Sequence, residues 1–319
     1  MRKKINCQMF FKASLKSLLV RYICRHMEQS HKAGFVNIFG PPNAGKSTLM
    51  NALIGENLAI ISPKVQTTRH RILGFITEEN YQIIFSDTPG IINPKYKLHT
   101  KMMQQVKNAM EDTDVAILMA DATENVDGFA EIIGELKVKA PKILIINKID
   151  LIKDQAAREA LVAEYSAKIK VDKIIPVSVT KAINLDKVLP AVLDYLPENP
   201  PFFPEDDISD RPTRFFVSEL IREKIYYMYD KEIPYHTAVV VQSFKDLPHI
   251  VRISADIVVT RETQKMIILG EKGTLIKKLG IKARESIEQF LGKKVYLELF
   301  VKVRPKWREN DNYLKEYGY

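Results

Sequence analysis

Gly40-Pro41-Pro42-Asn43-Ala44-Gly45-Lys46-Ser47 decides how the chain is read. It fits Gly-x-x-x-x-Gly-Lys-[Ser/Thr], a loop whose glycines let backbone N–H groups turn inward around a polyphosphate. Its flanks are those the pattern needs. The run Phe35–Phe39 reads as a buried strand, and Lys46–Leu53 as a helix closed by Gly55. The helix N-terminus adds positive partial charge. Lys46 is placed to reach β/γ-phosphates, the Ser47 hydroxyl to bind Mg²⁺, and Thr48 follows them at the helix start.

Strand and helix signals alternate outward from this loop. Strands are expected at Phe35–Phe39, Arg71–Thr77, Tyr81–Asp87, Val115–Ala120, Ile143–Asn147 and Ile174–Val177. Helices are expected at Lys46–Leu53, Leu98–Met110, Gly128–Lys137, Gln155–Ile169 and Leu185–Leu196. Glu78-Glu79-Asn80 joins the second and third strands as a hairpin. The remainder reads as βα units, so the fold class is α/β: a doubly wound, mostly parallel P-loop sheet.

Pro197, Pro200, Pro201 and Pro204, followed by Glu205-Asp206-Asp207, mark a boundary. Beyond it a smaller α+β unit is expected. It runs through a helix at Phe215–Tyr229, strands near Thr237–Ser243 and Val251–Thr260, and the apolar stretch Lys265–Leu269. The loop Gly270–Gly273, a helix near Thr274–Phe290, a strand at Val295–Val303 and a short tail complete it. The division is thus residues 1–32 as a basic extension, 33–198 as a nucleotide-binding domain, 199–213 as a Pro-rich linker and 214–319 as the second domain.

Charge is uneven along the 319 residues, whose net value is +9. Residues 1–32 carry eight Lys/Arg against one acid, residues 33–211 carry 20 against 24, and residues 212–319 carry 20 against 14. Nucleic-acid contact is therefore expected in the C-terminal part. Both cysteines, Cys7 and Cys24, lie in the extension, leaving the body without a disulfide framework or cysteine zinc site, as in a reducing cytosol. No apolar run approaches the roughly 20 residues that span a bilayer. In the extension, Leu15, Leu18, Leu19, Tyr22 and Ile23 form an amphipathic helical stripe among basic residues. Three readings stay open: an organelle presequence, a membrane-surface helix, or a true start at Met27.

Further motifs sit where a nucleotide site needs them. Asp87-Thr88-Pro89-Gly90 ends a hydrophobic strand about 40 residues after the loop. There Asp87 would hold Mg²⁺ through water and the Gly90 N–H would meet a γ-phosphate. Asn147-Lys148-Ile149-Asp150 ends another strand. The Asp150 carboxylate can accept from guanine N1–H and its exocyclic amine, donors that adenine lacks at those positions, while the Lys148 stem covers the base. Ser178-Val179-Thr180 would offer backbone donors to the guanine O6. In Gln66-Thr67-Thr68-Arg69-His70 a threonine can close on Mg²⁺ and γ-phosphate, and the sequence leaves Thr67 and Thr68 both open. Lys46, Thr67, Thr68 and Gly90 are the candidate catalytic residues; Ser47, Thr67, Thr68 and Asp87 are the candidate metal ligands. The nucleotide is read as GTP, hydrolysed to GDP.

The second domain carries Gly270-Glu271-Lys272-Gly273 ahead of a helix with Lys277, Lys278, Lys282 and Arg284. Residues 261–284 hold seven Lys/Arg against two acids. The setting matches a KH module, whose loop clamps about four nucleotides of backbone. Ile276, Leu279, Ile281 and Ile287 are assigned to the apolar wall of its groove and to the core.

The nucleotide motifs together resemble a TRAFAC-class GTPase, with Gly40–Ser47, Thr67/Thr68, Asp87–Gly90, Asn147–Asp150 and, loosely, Ser178–Thr180 as its five G motifs. Val179 stands where alanine is usual. Ile91 stands where a water-orienting glutamine is found in other GTPases, which implies hydrolysis near or below ~10⁻⁴ s⁻¹ without assistance. The resemblance also implies that Asn43 helps hold a K⁺ ion near the phosphates.

From Ala33 onward the chain resembles the Era family of ribosome-assembly GTPases. Gln66–Arg71, Phe203-Pro204-Glu205-Asp206, Ile221-Arg222-Glu223-Lys224, Glu232-Ile233-Pro234-Tyr235 and Leu297–Val303 carry that resemblance beside the G motifs and Gly270–Gly273. It implies a G domain plus a type II KH domain, and a monomeric switch that binds the 3′ end of small-subunit rRNA in its GTP state during small ribosomal subunit assembly. It also implies a cytoplasmic site of action, with peripheral membrane association and an organellar location as alternatives. Other readings are a tRNA-modification or large-subunit GTPase, a non-enzymatic RNA-binding protein, and a membrane-associated GTPase.

Overall fold

The computed structural model describes residues 31–319. The three readings of the N-terminal extension lie outside the described residues.

Six strands form the first sheet: β1 (Lys32–Phe39), β2 (Ile72–Glu78), β3 (Tyr81–Asp87), β4 (Val115–Asp121), β5 (Lys142–Asn147) and β6 (Lys173–Pro176). Their order is β2-β3-β1-β4-β5-β6, and only the β2–β3 hairpin is antiparallel. β4 and most of β5 are buried, as near-continuous apolar strands between two helical layers must be. Helices α1 (Lys46–Ile54) and α5 (Val188–Tyr195) cover one face; α2 (Lys97–Glu111), α3 (Val126–Gly134) and α4 (Gln155–Lys168) cover the other. The chain winds outward from β1 in both directions. The crevice at the carboxyl ends of the strands therefore opens beside β1 and β4, where this fold class binds ligands.

The elements follow the expected order with shifted ends. Asn125 caps α3 by accepting from Asp127 N–H at 2.7 Å, so the helix begins earlier than the expected Gly128 and stops at Gly134. The expected helix Leu185–Leu196 starts as a 3₁₀ turn, Leu185–Lys187, before α5.

The second domain contains α6 (Thr213–Met228), a short α7 (Ile233–His236), β7 (Ala238–Asp246), β8 (Val251–Val259), α8 (Glu262–Leu269), α9 (Thr274–Leu291) and β9 (Val295–Val303). Its sheet runs β7-β8-β9, antiparallel then parallel. Val217, Ile221, Ile225, Ile268, Leu279, Ala283 and Ile287 pack α6, α8 and α9 on one face. The apolar stretch at 265–269 is thus the end of a helix.

Two segments differ from their sequence reading. The tail is folded: Trp307 is fully buried, its indole donates to His236 O at 3.0 Å, and α10 (Asp311–Glu316) adds Leu314. These pack against Ala238 and Val258 of the second sheet and against Leu98 and Met102 of α2 in the first domain. The Pro-rich connector is a strap along the β2 edge. Phe75 N–H donates to Ile208 O at 3.0 Å, Ser209 Oγ to Leu73 O at 2.5 Å, and Phe203 stacks on Phe75 at 4.1 Å. Its backbone and side chains thereby occupy hydrogen-bonding groups that an edge strand otherwise exposes.

Candidate functional site

The carboxyl ends of β1, β3, β5 and β6 deliver the motifs to one cavity of about 440 Å³. Gly45 has φ 103°, and a Cβ there would lie 2.3 Å from Asn147 Nδ2. A Cβ on Gly90 would lie 2.9 Å from Pro42 Cα, so these glycines permit backbone approaches that no other residue allows. Lys46 is 6% exposed, and its ammonium donates to Gly40 O at 3.1 Å and Pro41 O at 2.8 Å. Burial pulls its pKa down to about 8, against the opposing charge of Asp87.

Asp87 is fully buried at the end of β3. Its Oδ2 accepts from Ser47 Oγ at 2.6 Å and Thr68 Oγ1 at 3.1 Å, and the two hydroxyls lie 2.9 Å apart. Its Oδ1 is buried without a hydrogen-bond partner, and burial raises the carboxyl pKa. One carboxylate with an orphaned oxygen beside two hydroxyls is an all-oxygen donor set, fitting a hard cation such as Mg²⁺ that completes its shell with phosphate and water. Among the described residues no group of three His, Cys, Asp or Glu side chains offers another metal site.

The two threonines part here. Thr68 reaches Asp87, whereas the Thr67 hydroxyl donates to Lys64 O at 2.6 Å. Thr67 lines the cavity with its hydroxyl on Lys64 O, whereas Thr68 is the threonine within the oxygen cluster. Thr88 is also turned away, donating to Ile38 O at 2.7 Å. Ile91 packs against the core on the α2–α4 face, so its side chain orients no water.

At the base end, Asn147, Lys148, Asp150 and Thr180 line the cavity. Asn147 ties the motifs together, donating to Ala44 O at 2.9 Å and accepting from Val179 N–H at 3.2 Å. Ser178 N–H donates to Ile183 O at 3.1 Å. Ser178 and Val179 thus spend their backbone donors on the protein, and of the three only Thr180 faces the cavity, which narrows the expectation for that motif. Lys148, at φ 62°, pairs with Asp121 at 2.5 Å. Burial acts to raise the Asp121 pKa, but the bonds from Lys148 and Thr123 hold it below the usual carboxylate value. Asp121 was not singled out from sequence, although its place at the end of β4, in register with Asn147, is the signal for it.

In the second domain, Gly270 (φ 70°), Lys272 (φ 49°) and Gly273 (φ 76°) form a tight loop into α9, whose first turn has no side-chain cap. A helix N-terminus without a side-chain cap suits phosphate oxygens. Beside the loop, a cleft of about 360 Å³ separates α9 from β9, lined by Ile276, Lys277, Gly280, Ile281, Arg284, Tyr296, Leu297 and Leu299. A Cβ on Gly280 would meet only Leu299 Cδ1, at 3.7 Å, so the helix backbone stays approachable there. Lys277 and Arg284 line the cleft, whereas Lys278 and Lys282 are exposed on α9 outside its lining. Leu279 and Ile287 are core rather than wall. Tyr296, half-exposed, escaped the sequence reading because a strand tyrosine carries no motif.

Fold and site define a P-loop GTPase joined to a KH domain. Residues 35–148 match the family described as 50S ribosome-binding GTPase, and residues 232–308 match the KH domain. The chain is 43% identical to GTPase Era of Staphylococcus haemolyticus over 292 residues, which is 91% of this chain and 97% of that one. It superposes with a TM-score of 0.87 and 42% identity on Era in complex with MgGDPNP and nucleotides 1506–1542 of 16S ribosomal RNA, covering 90% of this chain and 99% of that one. A point variant of Aquifex aeolicus Era bound to GDP·AlF₄⁻ gives the same TM-score at 41% identity and the same coverage. The chain belongs to the Era family of GTPases.

Proposed function

We propose that the chain is a GTP-driven switch that binds the 3′ end of small-subunit rRNA and assists small-subunit assembly. The observation that carries this is the likeness, over 90% of the chain, to Era held with a GTP analogue and 16S rRNA, in a chain that keeps both a phosphate-loop pocket and a basic cleft. The division into a G domain at 33–198, a strap at 199–213 and a KH domain at 214–319 belongs to the same proposal.

In this reading Lys46 turns from the Gly40 and Pro41 carbonyls to β/γ-phosphate oxygens, and the Gly90 N–H meets the γ-phosphate. Asp150 reads the guanine edge, and Lys148, braced by Asp121, covers the base. Ser47, Thr68 and Asp87 would hold Mg²⁺, which when bound supplies positive charge to the β/γ oxygens. Asn43 lines the same cavity with its amide nitrogen committed to Pro63 O at 3.1 Å, leaving the amide oxygen for K⁺. That charge would assist a site with no glutamine after Gly90. Gly270–Gly273, Lys277 and Arg284 hold RNA phosphates while bases lie on the Ile276, Ile281 and Tyr296 wall. Lys278 and Lys282 contribute only long-range attraction.

The test is binding of the intact chain to a small-subunit 3′-end oligonucleotide, to a scrambled sequence and to a large-subunit fragment at equal salt. Preference for the 3′-end sequence by tenfold or more, in the range of about 1–3 kcal/mol per base read, is expected. Equal affinity for all three would overturn the assignment of the RNA.

A further inference from the structure

The segment that carries Thr68 is held from outside its own domain. Tyr227 Oη donates to Ile61 O at 2.8 Å, and Tyr226 Oη to Gln66 O at 3.0 Å. Lys64 bonds Tyr229 O and pairs with Asp230 at 2.8 Å. Arg222 Nη2 donates to Thr67 O at 2.6 Å. Arg69 donates to Pro234 O at 2.9 Å and Thr237 O at 2.8 Å. Most of these partners lie on α6 or just past its end, and Glu219, Arg222 and Tyr226 share one face by their three- and four-residue spacing.

Arg222 is central to that face. It is 1% exposed, and Glu219 grips it through Oε1 at 2.8 Å and Oε2 at 2.5 Å. Such a buried pair is costly to desolvate and is weak evidence for a contribution to stability. One terminal nitrogen, Nη1, is also buried without a partner. What the arrangement provides is a fixed donor at one carbonyl. The Thr67 C=O and the Thr68 N–H belong to one planar peptide, so anchoring the carbonyl sets the plane from which Thr68 extends. On its other side Thr68 is followed by Arg69, itself anchored to the second domain. Between these two anchors the Thr68 hydroxyl comes to lie beside Ser47 and Asp87.

We propose that Arg222, held by Glu219, is a positioning residue for GTP hydrolysis: from the second domain it anchors the peptide that places Thr68 at Ser47 and Asp87. The hydrolytic site is then assembled in cis across both domains, and displacement of α6 slows the chemical step without touching the nucleotide. This rests on the role given to Thr68 above.

The experiment measures kcat and KM for GTP, with GDP affinity as a check on the pocket, in the full-length chain. The Glu219→Gln/Arg222→Met pair removes both buried charges together. Its kcat is expected to fall roughly tenfold, with KM and GDP affinity little changed. Tyr226→Phe removes the hydroxyl that donates to Gln66 O and accepts from Arg69 Nη2 at 3.3 Å, and keeps the ring packing, so kcat should fall about two- to threefold. Thr68→Ala should lower kcat by more than either. In the Thr68→Ala background the paired substitution should have little further effect, since both act through one group. An unchanged kcat in the pair, or a full additive loss in the Thr68→Ala background, overturns the proposal. If the pair fails to fold, an unchanged kcat in Tyr226→Phe does so. An unchanged kcat in Thr68→Ala itself removes the underlying role of Thr68 and the proposal with it, a result distinct from the other failures.

Discussion

The chain presents phosphate-facing loops twice, and they differ in burial. At Gly40–Ser47 the loop closes over a buried lysine, a buried carboxylate and a cavity of about 440 Å³. At Gly270–Gly273 the loop has Glu271 and Lys272 exposed and lies beside a smaller cleft of about 360 Å³. Both use positive-φ residues and a helix N-terminus. Burial makes polar errors costly, so the first loop can discriminate between nucleotides and stabilise developing charge. Exposure keeps the second loop's charges screened, so it suits a long polyanion whose affinity falls with salt.

The largest expected effect falls on the enclosed loop. Lys46→Ala should weaken GTP by roughly a hundredfold or more, since it removes a desolvated charge facing phosphate; titration calorimetry reads it, and retained affinity would erase the contrast between the loops. Asp150→Asn should cost about a hundredfold in GTP affinity and shift preference toward xanthosine triphosphate, because an acceptor lining the cavity becomes a mismatched donor. Competition binding with both nucleotides measures the shift, and unchanged guanine preference would move base recognition elsewhere.

The open loop should respond less. Lys272→Asp should weaken RNA about tenfold at moderate salt and reduce the log–log salt slope by roughly one to two, with GTP affinity unaltered. A loss as large as that of Lys46→Ala for GTP would mean the second loop is also a preorganised pocket.

The seam between the domains responds through pH rather than through ligand affinity. His70 is stacked on Tyr319 at 4.4 Å, and burial pulls its pKa down to about 4, with nearby arginines adding to the shift and Glu219 opposing it. The unfolded chain therefore takes up this proton first. Stability is full above pH ~6.5 and is lost as pH falls toward 4, by roughly 2 kcal/mol from this group at pH 5. In His70→Gln, urea unfolding at pH 7 and pH 5 should show a smaller difference than the parent. An equal difference would place the pH dependence on other groups.

Most of the nucleotide site was legible in sequence because its chemistry needs contiguous residues at strand ends, as at Gly40–Ser47, Asp87–Gly90 and Asn147–Asp150. What was not legible depends on contacts distant in sequence. Arg222 acts on Thr67, 155 positions away, and no local pattern announces it. The tail read as a short appendage, yet Trp307 and Leu314 complete an interdomain core whose other members come from α2, β7 and β8. The choice between Thr67 and Thr68 required the turn that sends one hydroxyl to Lys64 O and the other to Asp87. Periodicity did carry one unused signal. With Leu279, Ala283 and Ile287 inward at four-residue spacing, Lys278 and Lys282 could not share one face with Lys277 and Arg284.

If the nucleotide site controls RNA binding, α6, which contacts the threonine loop and packs with the second domain's sheet and α9, is the physical link. The most direct measurement is the Kd of the intact chain for the small-subunit 3′-end oligonucleotide at one salt concentration, with a GTP analogue, GDP or no nucleotide. Binding at least tenfold tighter with the analogue than with GDP, about 1.4 kcal/mol of coupling, is the predicted result. Equal affinity in all three states would contradict it, leaving a GTPase and an RNA-binding module that share a chain without sharing a switch.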